Sequence, residues 1–341
     1  MILLVSFIGS IFATAVFRWV ALRSGFLDVP NHRSAHTIAT PHGGGVAFSF
    51  VSVTLVLLAS WSGLLLHREV LAFVPGAVAI ALIGLLDDFA SVAVRVRLAV
   101  HVSVAISVIV LLGGGLTVKV GVFDVDLGVL TDIVFVVAIV WSVNLFNFMD
   151  GIDGIASVQA VSVLLGMLII GGVLPTAGLP LLIAILIASV AGFLVLNWPP
   201  AKIFMGDAGS GFLGFALICV GLLAHQQGYV SFWSWLILNG LFIVDATYTL
   251  GYRVVHGYRW YEAHNGHAYQ YLARELGGYR LVIGLQIAAN VFWLLPLAWW
   301  ANQSDDHAYL IAIVAWSAIL VTIVKLKVGR LDMASRCRKH C

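Results

Sequence analysis

The chain has 341 residues, 61% of them apolar and only 10% charged, with a formal net charge of +2 and a mean hydropathy of +1.04. Soluble domains carry roughly 25% charged residues, so this composition excludes a water-soluble globular protein. Cys219, Cys337 and Cys341 show neither disulfide nor zinc spacing.

Apolar runs predict helices at residues 2–22, 45–66, 70–86, 98–115, 130–148, 155–173, 179–197, 210–224, 230–250, 280–301 and 307–327. Runs of about 18 to 22 residues are long enough to cross a hydrocarbon core of about 30 Å. The first run carries no basic residue before Arg18, so it reads as a retained helix and not as a signal peptide. Between the fourth and fifth runs, residues 116–128 (LTVKVGVFDVDLG) alternate around Gly121, the pattern of a small β-hairpin. The expected fold class is an all-α, polytopic integral membrane protein forming one domain over residues 1–341. It has about eleven transmembrane helices, a small external β-hairpin and cytoplasmic active-site loops.

An odd number of spans places the termini on opposite sides. One face then carries residues 23–44, 87–97, 149–154, 198–209, 251–279 and the tail from 328. Of the 18 Lys and Arg, only Arg68 and Lys119 fall on the other face. Positive charge in short loops marks the cytoplasm, so the amino terminus is expected outside and the carboxyl terminus inside.

Five aspartates collect on that cytoplasmic face: Asp87, Asp88, Asp150, Asp153 and Asp207. Carboxylates at a membrane edge are costly and mark functional sites. Asp87 and Asp88 end the third run, and neighbours on a helix point about 100° apart, so the pair serves two different ends. Solvated acids facing Arg95 and Arg97 are the plainer reading. Asn144, Asn147 and Asp150 follow an i, i+3, i+6 spacing along one drifting helix face, with Asp153 between Gly151 and Gly154. Amides inside an apolar helix can serve as interhelical glue, but two amides followed by two acids form an oxygen-rich set suited to a hard cation such as Mg²⁺.

Gly206-Asp207-Ala208-Gly209-Ser210-Gly211 opens the eighth run. A glycine-rich turn at a helix amino terminus offers free N–H groups to a phosphate, and Asp207 there calls for a bridging metal. Helix packing is the alternative use of these glycines. The first loop holds Arg33, His36 and Pro41-His-Gly-Gly-Gly45, with Arg33 able to clamp phosphate oxygens. The loop 251–279 holds Arg253, Arg259, His264, His267, Tyr269, Gln270 and Arg274 beside Trp260 and Tyr261, a composition suited to a membrane interface or a cover over a ligand. Asp245, inside the ninth run, is expected to face the interior and pair with Arg253.

In order along the chain, DVPNHRSAH…TPHGGG, LLDDF with Arg97 after it, NLFNFMDGIDG, FMGDAGSGFLG and a late histidine loop resemble the polyprenyl-phosphate N-acetylhexosamine-1-phosphate transferases, a group within glycosyltransferase family 4. The resemblance implies transfer of N-acetylhexosamine-1-phosphate from a UDP-N-acetylhexosamine to undecaprenyl phosphate on the cytoplasmic face of the bacterial inner membrane, with release of UMP. It also implies Mg²⁺, or Mn²⁺ in its place, held by Asp207 with Asn147. Asp87 and Asp88 are the implied catalytic acids at the lipid phosphate. Arg33, His36, Arg97, Asn144, Asp150, Asp153, Gly206, Gly209, Ser210, His264 and His267 are the implied substrate contacts. Expected partners are the two substrates, membrane lipid and a second copy in a homodimer, with no nucleic acid.

Relatives commonly carry a His-x-His-His stretch in the last cytoplasmic loop, where this chain has His267-Ala-Tyr269-Gln270. That departure resembles the O-antigen-initiating enzymes and speaks against the phospho-MurNAc-pentapeptide transferase of peptidoglycan synthesis. An ion-coupled transporter, the competing class, would spread its acids in depth across the bilayer.

Overall fold

The computed structural model describes residues 1–29, 39–125, 127–258, 266–326 and 328. The chain is a multi-pass helical membrane protein. Its helices are α1 (Ile2–Ser24), α2 (Gly45–Trp61), α3 (His67–Ala90), α4 (Val94–Leu112), α5 (Val129–Met149), α6 (Ile155–Gly171) and α7 (Gly178–Asn197). They continue as α8 (Gly206–Gln226), α9 (Phe232–Leu238), α10 (Gly240–Val255), α11 (Ala268–Glu275), α12 (Tyr279–Gln303) and α13 (Ala308–Lys325). Among the described residues, eight are long and apolar enough to cross a membrane: α1, α3, α4, α5, α7, α8, α12 and α13. The 17-residue helices α2 and α6 lie at the lower edge of spanning length.

Every predicted apolar run is helical, but two are not uniform. The run at 230–250 is broken at Asn239 into α9 and α10. Within α12, Asn290–Leu294 forms a π-helical turn. There Gln159 of α6 accepts from both Gln286 and Asn290 at 3.0 Å and donates to the Leu238 carbonyl at 3.0 Å. This buried amide network ties the irregular turn to the α9–α10 break, which satisfies polar groups that lipid cannot.

The predicted hairpin is present as β3 (Val118–Val120) and β4 (Phe123–Val125), antiparallel, with Val118 opposite Val125 and Gly121 in its turn at φ +65°. A second two-stranded pairing, β1 (Leu27–Asp28) with β2 (Thr40–Pro41), closes the base of the first loop.

Helix α8 is the axis of the molecule: every residue from Ala208 to Ala224 is buried. Glycines admit its neighbours. A Cβ at Gly209 would lie 2.6 Å from the Gly45 Cα of α2, and one at Gly84 of α3 would lie 2.5 Å from the Asp207 carbonyl oxygen. Membrane helices pack through such small residues because lipid provides no hydrophobic drive between them. Phe73 of α3 stacks on Phe215 of α8, and Phe48 of α2 meets Phe212 edge-on. Helix α8 starts at Gly206, four residues earlier than its apolar run, which places Asp207 in the first turn at the centre of the helix ends.

Candidate active site

The two acids that end α3 diverge as the helix geometry requires. Asp87 accepts the Val92 N–H at 2.7 Å through one oxygen and pairs with the Arg97 guanidinium through the other. The same Arg97 nitrogen lies 3.3 Å from an Asp207 carboxylate oxygen. Arg97, one turn into α4, thus holds one acid of α3 and one of α8.

Asp88 turns the other way and is buried. Its Oδ1 accepts the Asp207 N–H at 2.8 Å, and its Oδ2 accepts the Ala208 N–H at 3.3 Å. A carboxylate from α3 therefore caps α8, a helix with no side-chain cap of its own. His42 completes the group, with Nε2 3.0 Å from Asp88 Oδ1. Burial opposes the imidazolium, but the hydrogen bond and charge of Asp88, with Asp207 and Asp28 beyond, raise the His42 pKa above its ordinary value.

This arrangement differs from the phosphate cradle expected at the α8 amino terminus. The Asp207 and Ala208 amides of its first turn already have a partner in Asp88. Gly209 serves the α2–α8 contact. The Ser210 hydroxyl donates to the Gly206 carbonyl at 3.1 Å and accepts from Asn147 Nδ2 at 3.2 Å.

Between α5 and α6 the chain turns through residues 150–154. Asp153 Oδ2 accepts the Ala201 N–H at 2.9 Å. Asn197, buried at the end of α7, accepts the Gly154 N–H at 3.1 Å and donates to the Ile203 carbonyl at 3.0 Å. It joins the 150–154 turn to the segment leading into α8. Its sequence signal is slight: one asparagine at the end of an apolar run, before Trp198 and two prolines.

These elements enclose a cavity of ≈ 850 Å³. Of the residues expected at the site, Asn147, Asp150, Asp153, Gly206, Asp207 and Ser210 line it, and His42, Asn197, Gln270 and Arg274 join them. Asp87, Asp88 and Arg97 stand behind Asp207 and do not line it. Asn144 is also outside: its amide donates to the Val140 carbonyl of its own helix at 2.7 Å. Arg33, His36 and His264 lie outside the described residues. Burial pushes the Asp150 carboxyl up to about 7; His42 opposes the shift, while Asp207, Asp153 and Asp88 add to it.

His267 is also absent from the cavity wall. It is the buried N-cap residue of α11, with its N–H on Gln270 Oε1 at 3.2 Å and its Nδ1 3.4 Å from Asp245. Asp245 takes the Ala268 N–H at 3.0 Å and the Thr249 hydroxyl at 3.1 Å, so its partners are the α11 amino terminus and its own helix, not Arg253. Helix α11 lies within the loop 251–279, where no apolar run predicts a helix. Its signal is the capping pattern His267-x-x-Gln270. One turn apart on α11, Gln270 and Arg274 form the wall facing the 150–154 turn.

Among the described residues, no three His, Cys, Asp or Glu side chains converge as a metal site. Two oxygen donors of the cavity wall are Asp207, whose side chain is 35% exposed, and Asn147.

The sequence profile of glycosyl transferase family 4 matches residues 70–225. Over 264 residues the chain is 32% identical to the probable undecaprenyl-phosphate N-acetylglucosaminyl 1-phosphate transferase of Bacillus subtilis, an alignment covering 74% of this chain and 71% of that protein. It is 29% identical over 291 residues to the undecaprenyl-phosphate alpha-N-acetylglucosaminyl 1-phosphate transferase of Thermotoga maritima, covering 85% and 87%. It is also 30% identical over 229 residues to the phospho-N-acetylmuramoyl-pentapeptide-transferase of Streptococcus pneumoniae, covering 64% and 68%.

Proposed function

The chain belongs to glycosyl transferase family 4, and from that premise we propose that it transfers N-acetylhexosamine-1-phosphate from a UDP-sugar to undecaprenyl phosphate. The observation that carries the reading is the cavity lined by Asn147, Asp150, Asp153 and Asp207, with Arg97 bridging Asp87 to Asp207 behind its wall. The names of the relatives supply the acceptor, undecaprenyl phosphate.

An oxygen of the lipid phosphate attacks the sugar-bearing phosphorus of the donor. The bond from that phosphorus to the bridging oxygen breaks, and UMP leaves with the electron pair. A phosphate monoester has its second pKa at about 6, so the acceptor is ionised near neutrality without a strong base. Asp87 accordingly acts through Arg97, holding its positive charge against Asp207, the acid that faces the cavity where the anionic phosphates meet. Asp88 fixes the start of α8 and so the place of Asp207. The 150–154 turn and α11 hold the donor.

The donor set fits a hard cation. Asp207 opens its carboxylate to the cavity, and Asn147 spends its Nδ2 on Ser210, leaving its oxygen for a ligand. Mg²⁺ is commonly held by one or two carboxylates plus substrate phosphates, so two protein oxygens suffice, and Mn²⁺ takes the same donors. When bound, the cation neutralises the pyrophosphate and stabilises charge at the breaking P–O bond.

Tyr269 and Gln270, standing where many relatives have histidines, favour the initiation of O-antigen or a related envelope polysaccharide over peptidoglycan synthesis. The asymmetry of Lys and Arg supports a cavity on the cytoplasmic face of the inner membrane, with the amino terminus periplasmic. The test is UMP release by purified protein given undecaprenyl phosphate, UDP-N-acetylhexosamines and Mg²⁺. Turnover that is abolished by chelation and by Asp207→Asn is expected. No release from any donor, with or without metal, overturns the reading.

A further inference from the structure

We propose that Tyr269 is a positioning residue that sets the spacing between α11 and the Gly151 turn, and with it the fit of the nucleotide-sugar donor; the inference rests on the transferase reading above. The buried phenol of Tyr269 crosses from α11 to the 150–154 turn and donates to the Phe148 carbonyl at 3.3 Å. Its hydroxyl sits directly over Gly151. A Cβ there would collide with that oxygen and lie 3.1 Å from both Tyr269 Cζ and Gln270 Nε2. Gly151 is not among the positive-φ glycines. Space, and not backbone conformation, demands glycine at this position.

The far side of α11 is equally fixed. Both oxygens of Asp245 lie 3.0 Å from the Ala268 N–H. The His267 ring, tied to Asp245, stacks on Tyr269 with centroids 5.7 Å apart and planes 16° apart. Tyr269 is therefore a spacer between an anchored helix and the turn that carries Asp150 and Asp153. Burial, with the charges of Asp245 and Asp150 beside it, keeps the phenol protonated well beyond its ordinary range, so it remains a donor. The cavity walls it separates are Gln270 and Arg274 on one side and Asp150, Gly151 and Asp153 on the other.

The test compares wild type, Tyr269→Phe, Gly151→Ala and the double variant by UMP release, with KM measured for UDP-N-acetylhexosamine and for undecaprenyl phosphate. Losing one hydrogen bond of ordinary strength predicts a donor KM raised by roughly fivefold in Tyr269→Phe, with kcat and the acceptor KM unchanged. Gly151→Ala should lower kcat/KM for the donor by more than tenfold, on the order of an overpacking cost. In the double variant the methyl takes space vacated by the hydroxyl, so activity should return to near that of Tyr269→Phe alone. An unchanged donor KM in Tyr269→Phe, or losses that multiply in the double variant, overturns the inference. Amide hydrogen exchange separates this from failure of the transferase reading, because it needs no turnover. Faster exchange across residues 149–154 in Tyr269→Phe is expected, and unchanged exchange overturns the spacer role even in a protein that releases no UMP.

Discussion

Asp88 accepts the backbone N–H of Asp207 at 2.8 Å across 119 residues of chain, so the acid that ends one membrane helix is the cap of another. The adjacent Ala208 N–H and His42 share the same carboxylate. Removing it leaves two amides of the most buried helix without a partner. Loss of a cap costs about 1 kcal/mol, and the unsatisfied buried donors add about 1–2 kcal/mol. Asp88→Ala should therefore lower the thermal unfolding midpoint in detergent clearly, and Asp88→Asn, which keeps one acceptor oxygen, should lower it by less. Asp87→Ala should cost less stability than Asp88→Ala, since Asp87 accepts only one backbone N–H. Equal losses for the two alanine variants would contradict the division of roles.

Arg97 carries the opposite kind of prediction. One guanidinium nitrogen serves Asp87 and Asp207 together, so Arg97→Ala leaves two carboxylates facing each other uncompensated, one of them on the cavity wall that anionic phosphates approach. Turnover should fall by about 10²–10³-fold, the scale of losing a preorganised electrostatic contact. Arg97→Lys restores the charge but not the planar guanidinium, and activity between the two is expected. An Arg97→Ala enzyme within threefold of wild type would remove this residue from the mechanism.

Period and composition made most of the fold legible. Every apolar run became helix, the hairpin at Val118–Val125 formed where alternation around Gly121 placed it, and the divergence of Asp87 from Asp88 follows from 3.6 residues per turn. What failed was long-range. No local pattern announces that Asp88 occupies the amides of α8 or that Asp245 occupies the amide of α11, because each cap comes from a different helix. The break at Asn239 and the π turn at Asn290 are likewise paid for by Gln159 on α6, far away in sequence. His267 looked like a ligand because histidines in a polar loop usually face solvent or substrate. Its partner, Asp245, stands inside an apolar run, where sequence proximity points to Arg253 and not to a residue 22 positions on.

Asn144 and Asn147 are one turn apart on α5 and look alike in sequence. Asn144 donates to the Val140 carbonyl of its own helix, whereas Asn147 lines the cavity and donates to Ser210. Asn144→Ala should therefore change kcat/KM by less than about threefold, within the range of a variant away from the reacting groups. Asn147→Ala should reduce it by at least about tenfold and weaken the dependence on Mg²⁺, as expected for loss of an oxygen ligand. The measurement is a metal titration of UMP release for both variants, and a reversed order would transfer the role to Asn144.

The pH dependence of stability distinguishes Asp150 from His42. Asp150 has its pKa pushed from an ordinary value of 3.8 up to about 7 in the folded protein. A group that binds its proton more tightly when folded favours folding at low pH. Its contribution is complete below about 4 and is lost as the pH rises to about 7, where the carboxyl must ionise in place. His42, also raised from its ordinary 6.5, contributes with the same sign, in full below about 6.5, and that contribution is lost only as the pH rises above it. Unfolding followed by intrinsic tryptophan fluorescence in detergent, without substrate or metal, should show stability falling from pH 4 to 7. Asp150→Asn should reduce that fall while leaving any further loss above pH 6.5, and His42→Asn should remove the upper part while letting the Asp150 fall extend to slightly higher pH, since His42 opposes the Asp150 shift. If Asp150→Asn leaves the slope between pH 4 and 6 intact, the carboxyl titrates in its ordinary range and the 150–154 turn is more open to water than its packing against Tyr269 requires.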